Sequence, residues 1–170
     1  MTQNNLDLIE YNILILNRFV DLIDLLDQSK WIKKNSSING ESVSRHIRHV
    51  YNFYECFLHG LDAGKIDYDS RFRDSHFERD ISYARTKILA LIKEFSLINS
   101  QDVDIEVSLN RSISHSRINS TFRRELMGLI DHSIHHGHIL QIAIKNEFKD
   151  IEFKETFYSP STLESSICVK

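Results

Sequence analysis

Apolar residues recur in steps of three and four along four separate stretches of this chain. In residues 6–26 they stand at 6, 9, 13, 16, 20, 23 and 26, a single stripe down an amphipathic helix. A second stripe follows Ser42, a residue type suited to an N-cap. It comprises Val43, Ile47, Val50, Tyr54, Phe57 and Leu61, with Gly60 or Gly64 placed to close the helix. A third stripe, over 76–98, comprises Phe77, Ile81, Ala84, Ile88, Leu91, Phe95 and Ile98. The fourth, over 120–148, begins Phe122, Leu126 and Leu129 and resumes at Leu140 and Ile144. Polar loops over 33–40 and 65–75 flank the second stretch. Between the third and fourth the period drops to two, with Val103, Ile105, Val107 and Leu109 alternating with polar residues, as in a half-exposed strand. Asn110–Arg111 is placed to turn the chain so that 112–118 pairs back. Only 5 glycines and 1 proline occur in 170 residues, too few turn-formers for an all-β sandwich or a low-complexity chain. The pattern predicts an all-α four-helix bundle with a small β-hairpin between the third and fourth helices. One domain is expected over 1–150, followed by a loosely packed tail over 151–170.

Charge and composition narrow the partners. The formal net charge is −3, and no basic stripe with interleaved aromatics occurs, so a nucleic-acid partner is not expected. Apolar runs reach only four or five residues (13–16 and 88–92), against roughly 20 for a membrane span. The chain opens without a basic segment followed by an apolar core, so no secretory signal is expected. Its two cysteines, Cys56 and Cys168, do not make a disulfide framework. A reducing, cytoplasmic setting is expected, with a small molecule as substrate. The first-helix stripe is long enough to share with a second copy, as in a homodimer.

The fourth stripe breaks in its middle. Ser133, His136 and Gly137 stand where leucine or isoleucine would continue it, and burying polar atoms there has a cost unless they find partners. The simplest reason for a polar inner face is a site. Four of the 9 histidines lie between residues 132 and 138. At about 100° per residue, His132 falls about 120° and His136 about 80° to the same side of the stripe centre. Two imidazoles at i, i+4 on one helix edge can chelate one metal ion. Glu125 lies near the same meridian, whereas His135 and His138 point elsewhere. A third ligand has to come from another helix. The second stretch offers His46, about 60° off its stripe centre, and His49, about 120° off on the same side. The angle of His49 mirrors that of His132, although spacing alone leaves both open. A pH-sensitive surface patch is the competing reading, but it does not explain a polar break on the buried face.

Ser-Val-Ser-Arg-His-Ile-Arg-His-Val (42–50) is similar to the second-helix signature of the DinB-like proteins, the superfamily that includes the YfiT-type metal-dependent hydrolases. Arg-Glu-Leu (124–126) with Asp-His-Ser-Ile-His-His (131–136) resembles their last-helix signature, and Ile-Asp-Tyr-Asp-Ser-Arg-Phe-Arg-Asp (66–74) a segment of one branch. The likeness covers about residues 5–148. It implies a four-helix bundle holding one divalent metal on three histidines. The lone ligand, seven residues after the small residue that opens the signature, lands on His49; the paired ligands land on His132 and His136. Characterised relatives include transferases and isomerases that use low-molecular-weight thiols. Ser44 stands where many relatives have glycine, a departure that leaves the ligands untouched.

Three neutral imidazoles leave a coordination position open, as catalytic sites do. That position suits a water of lowered pKa or a thiolate, hence a hydrolase or a thiol-dependent S-transferase. Imidazole suits zinc or nickel, with iron, copper or manganese as further choices. The competing function is a non-catalytic metal-binding bundle, a stress-response or binding module. Glu125 is placed either to accept the far N–H of a ligand histidine or to interact with the helix dipole as a first-turn carboxylate. Arg71 and Arg73 are placed either to bind a substrate carboxylate or to anchor their loop on Asp67, Asp69 or Glu78. Tyr68 is expected to pack that loop onto the bundle, and Cys56 to be a peripheral packing residue.

Overall fold

In a computed structural model of the chain, residues 3–99, 101–108, 112, 114–152 and 157 are described, with side chains from Leu8 onward. The Asn110–Arg111 turn, Leu109, Cys168 and Pro160 lie outside them. The fold is mostly helical with two small sheets.

Each apolar stripe becomes a buried helix face. Helix α1 spans Gln3–Asp24 and buries Ile9, Leu16, Phe19, Val20 and Ile23. The chain does not then enter a loop. Asp27 accepts from the Lys30 N–H and caps a short helix, α2 (Gln28–Ile32), which buries Trp31 completely. The expected polar loop contains a two-stranded ladder, β1 (Lys34–Asn35) against β2 (Glu41–Ser42), closed through a 3-10 turn and the left-handed pair Asn39–Gly40. Ser42 caps α3 (Val43–Leu61) through the Arg45 N–H, as expected. Strand β3 (Lys65–Ile66) follows, its backbone so close to Gly60 that a Cβ there would meet Lys65 O at 2.5 Å. Gly60 is therefore a point of close approach inside α3 and does not end it.

The third stretch is two helices. Asp74 caps α4 (Ser75–Arg79), and Asp80, in an extended conformation, caps α5 (Ile81–Ser96) by accepting from the Tyr83 N–H. A second aspartate cap four residues into the predicted helix outcompetes continuity there. The period-two segment forms β4 (Asp104–Ser108), burying Ile105 and Val107. It pairs antiparallel with β5 (Arg117–Thr121) and parallel with β3, in the order β3-β4-β5. The return strand therefore begins later than the expected 112–118. Its register places Thr121 opposite Asp104, and the Phe122 N–H bonds Val103 O, so the strand runs straight into the buried start of the last helix. That helix, α6 (Phe122–Glu147), is capped by Thr121.

Helix α1 packs on α5 and α6, and α3 packs on the same two. A buried polar chain ties three of these helices. Ser133 Oγ donates to Tyr54 Oη at 3.1 Å, and Tyr54 Oη donates to Asn12 Oδ1 at 2.9 Å. Asn12 Nδ2 then reaches Leu126 O at 3.2 Å. Gly137 is buried for a different reason. The Phe157 ring sits directly on it, and a methyl group at 137 would overlap that ring. Phe157 is fully buried, 4.7 Å from the Phe19 ring. At this residue the expected loose tail is part of the core. Ser133 and Gly137 thus break the apolar stripe for packing reasons, and only His136 of the three faces a site. Among the described residues, no helix is long and apolar enough to cross a membrane.

Candidate metal centre

Helices α3 and α6 lie side by side, and their histidine edges meet. One ring nitrogen from each of His49, His132 and His136 lies within 4.8 Å of the others. The ring centroids stand 5.0 Å apart for His49–His132, 4.8 Å for His49–His136 and 4.6 Å for His132–His136. Zinc–nitrogen bonds of about 2.1 Å would set tetrahedral ligand atoms about 3.4 Å apart, a closure within reach of ring rotation. These three histidines can hold a metal ion. The donor set contains no carboxylate and no thiolate, so the protein would leave the ion's charge uncompensated.

Burial tunes the rings. It lowers the pKa of His49 to about 4, helped by the neighbouring His132 and the Arg71 guanidinium. It lowers His132 to about 4 and His136 to about 3, with adjacent histidines adding to both. All three are neutral at pH 7, the protonation state a metal ligand needs. His132 Nε2 is moreover buried without a hydrogen-bond partner. A buried imidazole nitrogen left unpaired is costly, and a cation at the centre of the three rings would satisfy it.

His46 is one helical turn from the triad. Its Nδ1 lies 3.2 Å from His136 Nδ1, which leaves Nε2 of His136 available for a metal. Burial lowers the His46 pKa as well, and this residue stands beside the three ligand candidates. His135 is exposed, its ring meeting the edge of His136 at 5.4 Å.

Glu125 does not reach a ligand histidine. Its Oε2 accepts from Tyr68 Oη at 2.8 Å and its Oε1 from Ser120 Oγ at 2.5 Å. Both oxygens thereby serve to fasten the 66–74 loop and β5 to α6. Tyr68 packs that loop as expected, stacked on Phe53 at 5.0 Å. Phe53 in turn lies flat against His132 at 4.0 Å. Spacing from the sequence overlooked Phe53, although it stands four residues after His49 and so on the same edge of α3. Cys56 is half-buried and apart from the triad, its thiol pKa pushed up to about 11 by burial.

Two clefts adjoin the rings. One of about 470 Å³ is walled by His49 and His136 and carries Arg45, Arg48, Arg71 and Arg73. The other, about 350 Å³, is walled by His132, Phe53, Tyr68 and Glu125. Of the loop-anchoring partners expected for Arg71 and Arg73, Glu78 pairs instead with Arg48. Arg71 lies over the Phe53 ring at 4.6 Å, with Nη1 3.5 Å from His49 Nδ1. Comparison with models of known protein families, with curated proteins and with solved structures finds no match to this chain.

Proposed function

We propose that this chain is a metal-dependent enzyme of the DinB-like superfamily, built as a four-helix bundle on α1, α3, α5 and α6. One divalent ion, zinc or nickel, is held by His49, His132 and His136. The observation that carries the reading is the convergence of three neutral imidazoles from two helices, one with a buried and unpartnered Nε2. When bound, the ion supplies Lewis acidity at a position the protein leaves open, lowering the pKa of a water or a thiol.

The chain's own residues do the rest. Phe53 stacks on His132 and Tyr68 stacks on Phe53, which holds the His132 ring in place. His46 meets Nδ1 of His136 and so fixes the orientation of that ring. The arginine-bearing cleft admits a small molecule along the His49–His136 side. We assign the reaction to S-transfer from a low-molecular-weight thiol or to hydrolysis.

Elemental analysis of untagged protein tests the metal. About one equivalent is expected in the wild type and a trace in the His136→Ala variant. Equal traces in both would refute the proposal. Turnover of a thiol with an electrophile, set against turnover of a hydrolysable ester, separates the two reaction classes.

A further inference from the structure

We infer that the substrate is a carboxylate, clasped between Arg71 and Arg73 at the rim of the cleft; this assignment rests on the metal reading for the position of the reacting end. The backbone at 71–74 has no regular hydrogen bonding, and the two arginines are two residues apart and both line the cleft. The Phe72 side chain between them is 74% exposed. Asn52 Nδ2 donates to Phe72 O at 3.0 Å, so α3 itself pins the segment in this orientation.

Charge then separates these two arginines from their neighbours. Arg48 is paired with Glu78, and Arg45 with Glu41 at 3.1 Å. Among the described residues, Arg71 and Arg73 have no carboxylate at ion-pair distance. Four guanidinium groups against the two carboxylates of Glu41 and Glu78 leave the cleft lining with two positive charges unmatched. Arg71 uses the face of its guanidinium on Phe53 and Nη1 toward His49 Nδ1, which leaves its other in-plane N–H groups to a ligand. A planar carboxylate fits that edge in bidentate fashion. Phosphate can take the same fork and is the competing occupant. A carboxylate on Arg71 also brings the remainder of the molecule beside His49, whose Nδ1 is 3.5 Å from Arg71 Nη1.

Calorimetric titration of the full chain with succinate and with inorganic phosphate tests the assignment, in metal-loaded and chelator-treated protein. Succinate should bind saturably and more tightly than phosphate. Its Kd should rise roughly tenfold or more in Arg71→Gln and in Arg73→Gln, and stay unchanged in Arg117→Gln, on the far strand β5. Arg73 is exposed, so its variant carries the test if Arg71→Gln fails to fold. Succinate binding that is absent, indifferent to both arginines, or weaker than phosphate binding would overturn the assignment. Metal content is read separately. Arginine-dependent succinate binding by a protein that takes up no metal refutes the metal reading and leaves this one standing. One equivalent of metal with arginine-independent binding does the reverse.

Discussion

The His132 imidazole lies flat on the Phe53 ring at 4.0 Å, with its Nε2 buried and unpartnered. Phe53 also supports Tyr68 on one side and the Arg71 guanidinium on another. One aromatic ring thereby fixes a metal ligand candidate, the loop that closes over it and a charged wall of the cleft. Phe53→Ala should weaken metal binding about 10- to 100-fold, the range seen when groups supporting metal ligands are removed. Competition with a chelator of known affinity measures it. Glu125→Gln, by contrast, should leave metal content unchanged, because that carboxylate holds Tyr68 and Ser120.

Stability should depend on pH with a defined sign. In the folded chain His49 and His132 titrate at about 4 and His136 at about 3, against 6.5 for an ordinary imidazole. Between pH 6.5 and about 4 the unfolded chain therefore binds protons that the folded chain refuses. Stability of the metal-free protein falls as pH drops through that window. Thermal melts of chelator-treated protein at pH 7, 6, 5 and 4.5 should show a declining Tm. Combining His49→Gln, His132→Gln and His136→Gln should flatten the decline.

The buried chain from Ser133 through Tyr54 to Asn12 makes Tyr54→Phe more costly than its size suggests. The change strands Asn12 Oδ1 and Ser133 Oγ in the core, with an expected loss of about 1–3 kcal/mol. Ser133→Ala removes only the last link and should lose less. Urea denaturation of both variants decides the order.

Gly137 and Phe157 should be coupled. Phe157→Ala should lose about 3–5 kcal/mol, and Gly137→Ala about 1–3 kcal/mol, because its methyl displaces the ring. In the double variant the methyl enters space the ring has vacated, so the combined loss should fall short of the sum. A double-mutant cycle in urea measures the difference.

The long helices were legible in the sequence because their stripes face one core, and periodicity reports that directly. The histidine edges were legible for the same reason, since angle alone placed His132 and His136 together and kept His49 in contention. Local capping was harder to read. Asp80 divides the third stretch because its side chain caps a new helix, a choice that apolar spacing does not register. The polar break in α6 was misleading in part. Ser133 and Gly137 answer to Tyr54 and Phe157, partners 79 and 20 residues away along the chain, and periodicity carries no information about partners so distant. Phe53 and Asn52 were overlooked because an aromatic and an amide on a helix have many uses, and only the folded 66–74 loop reveals theirs.

The contact between Phe157 and Gly137 has one more consequence. His136 is the residue next to that glycine, so Phe157 bears on the backbone that carries a ligand candidate. Any change that loosens position 157 will be felt by the imidazole beside Gly137, so a substitution there should perturb His136 without touching either cleft.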